Sequence, residues 1–393
     1  MQDLQTFEAD DDGRYLTTAG LTQELLRNAP LKLAYDPSTS PKDFASWRRR
    51  TRGKLRELLQ FPNVLTQPEP RRISADDRDG YTLEKWHLYP EPGAVVPLLL
   101  LKPNGISRKR RAGAVMVIPG SSGSKELMAG EPEPGGKPTT NRWPDRNKMA
   151  WYCAKQGLVA VAVDNPTGGE LHDELRPDRA EISRNLAWVG RSYEGLSVFH
   201  KWVVLQWMKT LDYVNPRRIV TCGLSLGAKP ALLLGVLDRQ VRGVVWNDFV
   251  SDWRVRQVVS NLGRIPAWQV IPGLWQWFDY VDLLASLAPR PLLISEGGYT
   301  PDIDRIRQAY HSLDADDHCQ VHYYDRFAKE ADREFDRQEI PTGISDEDYF
   351  RYANVDVPQH SFKPDKVRPW LQETIGGSLE GPDKPFPSIH SKH

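Results

Sequence analysis

Short apolar runs alternate with longer amphipathic segments over most of the chain. The apolar runs, rich in Val, Ile, Leu and Ala, predict buried strands at 114–118, 158–163, 218–222, 241–246, 291–295 and 319–324. The amphipathic segments predict helices at 147–155, 193–213, 302–313 and 366–375. Unbroken apolar strands that alternate with helices favour a mostly parallel sheet with helices on both faces.

The chain before residue 81 has a different pattern. Segments 21–26 and 44–59 have helical periodicity, and prolines separate them. Segments 83–89 and 95–101 then predict two antiparallel strands joined by a turn. We therefore expect an α/β protein with the α/β-hydrolase fold: a helical N-terminal extension (1–75), an α/β-hydrolase domain (76–377) and a flexible C-terminal tail (378–393).

A serine lies between two glycines where a predicted strand meets a predicted helix. The stretch at 223–227 reads Gly-Leu-Ser-Leu-Gly, between the strand at 218–222 and a segment of helical composition at 228–234. Neighbouring side chains would collide in so sharp a turn, so glycine is needed on both sides. The turn lifts the serine hydroxyl above the sheet. We predict that Ser225 is a nucleophile, the alternative being an ordinary glycine-rich turn.

A serine nucleophile needs a general base, and the base needs an acid that orients it. In this fold the acid and then the histidine follow the serine along the chain. The histidines after Ser225 are His311, His318, His322, His360, His390 and His393. His360 lies in a loop between the last predicted strand and the last predicted helix, where this fold has its catalytic histidine. We therefore predict that His360 is the base.

Three carboxylates compete as the acid. Asp248 follows the strand at 241–246, 23 residues after the serine. Asp302 follows the next strand, which is the commoner position in this fold, although Thr300 stands where an aspartate is expected. Glu296 ends that same strand. The sequence favours Asp248, with Asp302 second and Glu296 third.

Backbone N–H groups should form an oxyanion hole beside the serine. The N–H of Leu226 begins the helix after the turn, and the Gly- and Ser-rich loop at 119–124, near Ser121, follows a buried strand. The glycines of this loop allow the backbone to approach a carbonyl oxygen. We expect Leu226 and Ser121 to supply the donors. The alternative is a plain linker.

Composition excludes several other classes of function. The 52 basic and 52 acidic side chains leave no net field for nucleic acid, and no apolar run is long enough for a bilayer, so we expect neither partner. Three scattered cysteines and no phosphate-binding motif predict no cofactor and no metal. A small-molecule or carbohydrate ester is the expected partner, and homo-oligomerisation stays open. The N-terminus lacks a signal-peptide pattern, which slightly favours the cytoplasm.

Five further segments carry a family likeness. They are 125–132 (KELMAGEP), 161–170 (VAVDNPTGGE), 247–249 (NDF), 288–294 (APRPLLI) and 296–298 (EGG). With the turn at Ser225 they make residues 81–375 similar to the acetyl xylan esterases and dienelactone-hydrolase-like enzymes of the α/β-hydrolase superfamily. This resemblance implies hydrolysis of carboxylic esters, often of acyl groups on polysaccharides.

The likeness has two departures. A dienelactone hydrolase proper has cysteine where Ser225 stands. The chain is also similar to glucuronoyl esterases, with an acid soon after the serine, as Asp248 is, and a lysine four residues past it, as Lys229 is. Those enzymes have arginine directly after the nucleophile, where this chain has Leu226.

From residues and resemblance together, we expect a serine carboxylic-ester hydrolase. It would remove acetyl-like acyl groups from carbohydrate or other small esters through an acyl-enzyme. A glucuronoyl esterase, a peptidase or a thioesterase would use the same triad. A non-catalytic binding protein on the same fold is the alternative from a different class.

Overall fold

The computed structural model describes residues 7–64, 66, 68–133, 136, 139–172, 178–263 and 265–376. The predicted tail at 378–393 lies outside the described residues. The strands are β1 (Arg71–Arg78), β2 (Tyr81–Leu88), β3 (Val96–Pro103), β4 (Ala112–Ile118), β5 (Val159–Val163), β6 (Val214–Leu224), β7 (Val241–Asn247), β8 (Leu292–Ile294) and β9 (Cys319–Val321). They form one sheet in the order β1-β2-β3-β5-β4-β6-β7-β8-β9.

Helices flank this sheet. They are α1 (Thr18–Arg27), α2 (Pro41–Leu58), α3 (Lys125–Ala129), α4 (Met149–Ala154), α5 (Arg179–Trp188), α6 (Tyr193–Thr210), α7 (Ala228–Leu237), α8 (Trp253–Val259), α9 (Tyr280–Ala285), α10 (Thr300–His311), α11 (Asp346–Tyr352) and α12 (Pro364–Leu371). Over the described ranges, none of them combines the length and the apolar character that crossing a bilayer requires.

Strand pairing confirms the predicted α/β-hydrolase fold. Strands β4 to β9 pair in parallel with their neighbours, and β1, β2 and β3 add antiparallel pairs at one edge. The parallel strands are apolar without a break because helices cover both of their faces. All seven residues of β4 and all five of β5 are buried, as such a sheet requires.

The edge strand β1 is an element that the apolar pattern did not predict. All eight of its residues are exposed, and it pairs only with β2. A strand held by backbone hydrogen bonds at an edge buries no face, so its sequence needs no apolar alternation. It begins at Arg71, inside the segment predicted as the N-terminal extension.

The predicted extension shares its core with the α/β domain. Phe44, Trp47 and Leu55 of α2 are buried in the same hydrophobic cluster as Met116 of β4 and Leu232 of α7. Alternate residues of the central strands enter a second cluster on the opposite face of the sheet, because successive side chains of a strand point to opposite faces. The N-terminal helices therefore contribute to one of the two cores.

The sheet order determines where the chemistry lies. β6, β7 and β8 are adjacent and parallel, so their carboxyl ends meet at one edge. The residues that follow these ends are Ser225, Asp248 and Glu296 respectively. In sheets of this kind, ligand sites form at the carboxyl edge.

Candidate active site

The turn after β6 has the geometry of a nucleophile elbow. Ser225 has a φ of 53°, a left-handed conformation that a residue with a side chain adopts at a cost. A Cβ on Gly223 would overlap the carbonyl oxygen of Gly227, and a Cβ on Gly227 would overlap that of Ile118. The two glycines therefore allow the close approach that holds Ser225 at the corner between β6 and α7.

The imidazole of His360 is bound to a buried glutamate. Its Nδ1 lies 2.6 Å from Oε2 of Glu296, whose side chain is fully buried. Oε1 of Glu296 accepts from the N–H of Ser361 at 3.0 Å and from Nζ of Lys363 at 2.8 Å. Both oxygens of Glu296 are thus satisfied, and one of them orients His360.

This contact perturbs both groups. Burial raises the pKa of Glu296, but His360 and Lys363 outweigh it and leave that pKa below its ordinary value. Burial also lowers the pKa of His360, yet the carboxylates of Glu296 and Asp248 raise it to about 9. The pair is therefore held as carboxylate and imidazolium near neutral pH.

Asp248, the carboxylate that the sequence favoured, lies beside this pair. Asp248, Glu296 and His360 each offer a ligand atom within 4.8 Å of the others. Oδ1 of Asp248 accepts from the N–H of Phe249 at 2.9 Å, whereas the hydrogen bond to Nδ1 of His360 comes from Glu296. Burial raises the pKa of Asp248, and the nearby Glu296 adds to that rise.

Asp302, the second choice, has a different environment. It lies in the first turn of α10, and its Oδ2 accepts from the N–H of Asp252 at 2.7 Å. Burial, together with the charge of Asp252, raises its pKa to about 7. Its described hydrogen bond therefore serves the start of α8, whereas Nδ1 of His360 contacts Glu296, the third choice of the sequence.

Loop contacts from two directions hold His360. Trp143 donates from Nε1 to the carbonyl of Pro358 at 3.0 Å, and Asn147 accepts from the N–H of Phe362 at 2.8 Å. From the sheet, Asn247 at the end of β7 donates to the carbonyl of Ser361 at 3.0 Å. The residues on either side of His360 are therefore fixed to the α/β domain.

Ser225 and His360 line the same cavity, which has a volume of about 390 Å³. The residues around it are Arg142, Ser225, Leu226, Lys229, Asp248, Phe249, Trp253, Arg256, Gln269, Phe350, Val355, Val357 and His360. Apolar and aromatic side chains on one part of the wall and polar or charged ones on the rest give a cavity that can hold a small molecule with polar groups.

The predicted oxyanion loop passes next to the serine. A Cβ on Gly120 would lie 3.4 Å from Cβ of Ser225, so the backbone comes close because this residue is glycine. Asn165 and Arg179 anchor the loop by donating to the carbonyls of Pro119, at 2.8 Å, and Ser121, at 2.9 Å. Leu226 lines the cavity, whereas Ser121 is exposed and outside its lining.

Two of the segments behind the family likeness meet directly after this loop. Lys125, at the start of α3, donates to Asp164 from its N–H at 2.6 Å and from Nζ at 3.1 Å. Glu126 and Glu170 each lie 2.6 Å from the same Nζ. Burial raises the pKa of Asp164 to about 6 although Lys125 opposes it. This ion cluster fixes the far end of the loop at 119–124.

A second buried charge cluster lies beside the cavity, and the sequence patterns did not predict it, although the resemblance to glucuronoyl esterases singled out Lys229. Lys229 of α7 is 1% exposed; it is bonded to Gln269, and its Nζ stands 3.3 Å from the ring centroid of Trp253. Burial lowers its pKa to about 7, against the attraction of Glu194. Glu194 of α6 is fully buried, and neither of its carboxylate oxygens has a hydrogen-bond partner among the described residues. Glu194, Ser197 and Lys201 recur on one helical face of α6, and this polar stripe was the available signal.

Asp248, Glu296 and His360 are also the described residues that come together as potential metal ligands. Their chemistry argues against a cation there. One oxygen of Glu296 already bonds His360, and the other bonds Lys363, whose positive charge would repel a metal ion. The cluster fits a hydrogen-bonded acid–base pair better than a metal centre.

The fold and this cluster define an α/β hydrolase, and the comparisons agree. The chain belongs to the Abhydrolase family, whose model matches residues 2–373. A candidate acetyl xylan esterase from Bacteroides fragilis NCTC 9343 is 35% identical, with a TM-score of 0.88 over 93% of this chain and 97% of that one. The acetyl xylan esterase-like branch inferred from the sequence is thus confirmed.

Two further relatives are more distant. YtaP of Bacillus subtilis strain 168, named as a candidate hydrolase, is 27% identical over 137 residues, which are 35% of this chain and only 45% of YtaP. The methylesterase BT1017 is 18% identical, with a TM-score of 0.55 over 89% of this chain and 71% of that one, so its likeness shows the fold alone. These two relatives add no activity to the family assignment.

Proposed function

We propose that this protein is a serine carboxylic-ester hydrolase in which Ser225 is the nucleophile, His360 the base and Glu296 the acid. One observation supports this most. Ser225 and His360 line one cavity, and Nδ1 of that imidazole is bonded at 2.6 Å to the buried Glu296. With Nδ1 engaged, Nε2 is the nitrogen that remains to take the serine proton.

The reaction has two halves. His360 takes the hydroxyl proton while Oγ of Ser225 bonds to the carbonyl carbon, and the N–H of Leu226 with the loop at 119–124 stabilises the oxyanion. The imidazolium then protonates the departing alcohol, which leaves an acyl-enzyme on Ser225. Water, deprotonated by the same histidine, attacks this acyl group and releases the carboxylic acid and free Ser225.

Asp248 has a supporting part in this proposal. It lies close enough to His360 to raise the imidazole pKa, while its own described hydrogen bond goes to the backbone of Phe249. Its negative charge stabilises the imidazolium that forms when Ser225 gives up its proton. Glu296 provides orientation and charge, and Asp248 adds charge.

An acetyl-like acyl group on a carbohydrate or another small ester is the proposed substrate. The 35% identity to a candidate acetyl xylan esterase over nearly the whole chain supports this class. The rings of Phe249, Trp253 and Phe350 in the cavity wall offer flat apolar surface of the kind that packs against a sugar ring or a short acyl chain.

The test is the hydrolysis of p-nitrophenyl acetate and of acetylated xylan by the wild type and by Ser225→Ala. We expect kcat to fall by about 10⁴-fold or more, because nothing replaces the attacking oxygen. Ser46→Ala, in α2 and outside the cavity lining, is the control and should keep the wild-type rate.

A fluorophosphonate probe provides a second readout that does not depend on the substrate. Peptide mass spectrometry should find the probe on Ser225 and should find none in Ser225→Ala. Wild-type turnover in Ser225→Ala would refute the nucleophile. Absence of both turnover and labelling in the wild type would instead favour a non-catalytic binding protein.

A further inference from the structure

Besides His360, three basic side chains line the cavity that contains Ser225. They are Arg142, Lys229 and Arg256, and the carboxylate in the same lining is Asp248. Asp248 lies beside His360, whose imidazolium it stabilises. The remaining wall therefore carries more positive charge than a neutral ester requires.

Arg256, on α8, is enclosed by aromatic rings. Its guanidinium carbon lies 5.3 Å from the ring centroids of Phe249 and Tyr349 and 5.5 Å from those of Trp253 and Phe350. Its side chain is only 12% exposed. Ring faces attract a guanidinium and exclude water, so they hold this cation without using its N–H donors.

Other arginines of this protein bond oxygen atoms at hydrogen-bond distance. Arg290 donates to three backbone carbonyls at 2.7 to 3.0 Å, and Arg191 makes two bonds to Glu91 at 2.7 and 3.1 Å. Within the described part of the chain, Nε of both Arg254 and Arg256 has no hydrogen-bond partner, but Arg254 still donates from Nη1 to two backbone carbonyls, whereas the ion pair of Arg256 with Asp346 is 3.9 Å long. Buried donors normally find acceptors, so a bound group is expected to supply them.

We propose that Arg256, assisted by Arg142, binds the carboxylate of an anionic substrate, so that the protein favours esters that also carry a free carboxylate. This inference rests on the proposed ester hydrolysis. A guanidinium matches a carboxylate through two parallel N–H···O bonds. Nζ of Lys229 lies over the ring of Trp253, which Arg256 also contacts.

Because Arg256 lies in the cavity of Ser225, the carboxylate that it binds belongs to the substrate and not to an effector bound elsewhere. Arg256 and Ser225 line a single cavity of about 390 Å³, so one small molecule can reach both. An acid-substituted acyl chain or an acylated uronate would place its carboxylate a few bonds from the attacked carbonyl. A neutral acetyl ester would leave the donors of Arg256 unpaired.

The experiment compares two esters of equal shape and different charge. Monoethyl glutarate carries a carboxylate, and ethyl 4-carbamoylbutanoate carries an amide in its place; acid release from each is followed in a pH-stat. We expect the wild type to have a kcat/KM at least about tenfold higher for the anion, and Arg256→Gln to lower this ratio about 10- to 100-fold, as expected for lost charge-assisted bonds. Monoethyl malonate, succinate and adipate then map the spacing.

Matched variants separate the subsite from general effects. Arg254→Gln removes the same charge from the same helix, but Arg254 donates to the carbonyls of Leu26 and Arg27 and lies outside the cavity lining, so the ratio should be unchanged. Arg256→Lys keeps the positive charge but cannot form two parallel hydrogen bonds to a carboxylate, so it should recover part of the preference for the anionic ester. Melting temperatures identify any variant that fails to fold.

A binding measurement tests the subsite independently of turnover. Calorimetry with monoethyl glutarate should detect binding to Ser225→Ala and at least tenfold weaker binding to Ser225→Ala/Arg256→Gln. Equal kcat/KM values for the two esters, or a ratio unaffected by Arg256→Gln, would overturn the subsite while Ser225-dependent hydrolysis stands. Arg256-dependent binding without hydrolysis of either ester would support the subsite and remove the proposed function, and loss of both would overturn both.

Discussion

The two sides of the cavity satisfy their charges in different ways. Beside His360, each oxygen of Glu296 is bonded, to the imidazole, to Lys363 and to the backbone of Ser361. On the side of α8, Arg256 is surrounded by rings and keeps an unpartnered buried nitrogen among the described residues. Groups that must hold one geometry are saturated by the protein, whereas groups that await a ligand retain free donors.

The largest expected effect comes from disrupting the hydrogen bonds of Glu296 beside His360. Glu296→Gln removes the negative charge and leaves one accepting oxygen, so the amide NH₂ must face either Nδ1–H of His360 or the donors Lys363 and Ser361 N–H, and the orientation and tautomer of His360 are no longer fixed. We expect kcat for p-nitrophenyl acetate to fall about 10³- to 10⁴-fold, as when the acid of such a triad is neutralised. Steady-state kinetics at a fixed pH measure this loss.

Asp248→Asn is the matched control for that variant. It removes an equal charge near His360 but leaves the 2.6 Å bond to Glu296 in place, so above pH 9, where His360 is neutral in both proteins, a fall of only about tenfold is expected, roughly one pKa unit of lost charge stabilisation. A larger loss in Asp248→Asn than in Glu296→Gln would make Asp248 the acid, as the sequence alone favoured.

The next largest effect is a pH dependence of kcat/KM, which follows from the carboxylates beside His360. The pKa of His360 is raised to about 9, and a general base must be neutral. At lower pH the imidazolium predominates, so kcat/KM should rise about tenfold per pH unit and level off near pH 9. Rates between pH 6 and 10, with Ser225→Ala as the blank, check this.

Asp248→Asn provides a second test of this pH profile. Because Asp248 helps to raise the pKa of His360, its neutralisation should shift the rise of kcat/KM to lower pH. A wild-type rate that is already flat from pH 7 upward would contradict the strong coupling between His360 and its two carboxylates.

The smallest expected effect comes from Lys363, which touches Glu296 but not His360 in the described contacts. Lys363→Met removes the cation at 2.8 Å from Glu296, and the pKa of His360 should rise because Lys363 opposes protonation there. We expect a three- to tenfold lower kcat/KM at pH 7, about half to one pKa unit, and a smaller deficit at pH 9.5.

Lys363→Arg is the companion variant. It keeps a positive charge beside Glu296 and should restore most of the wild-type pH profile if Lys363 acts through that carboxylate. An equal loss in Lys363→Arg and Lys363→Met at every pH would indicate a purely structural role in the loop that carries His360.

Part of this organisation could be predicted from residue order. Apolar runs predicted β4 to β8 because strands covered on both faces must be apolar along their whole length. The turn at Ser225 was predictable because glycine is required two places away on each side, and both glycines have no room for a Cβ. The edge strand β1 was not predictable in this way, since all eight of its residues are exposed and require no apolar alternation.

The sequence by itself determined the sheet and the serine at a sharp turn, since both follow from local rules of periodicity and backbone sterics, and it singled out a late histidine. Only the tertiary structure decided which carboxylate contacts that histidine. Asp248 and Glu296 follow adjacent strands, and each has an oxygen within 4.8 Å of a ring nitrogen of His360. It alone also revealed that four aromatic rings enclose Arg256 and that its Nε has no hydrogen-bond partner among the described residues. Neither fact is local in the chain, because each depends on segments about 50 to 100 residues apart that packing brings together.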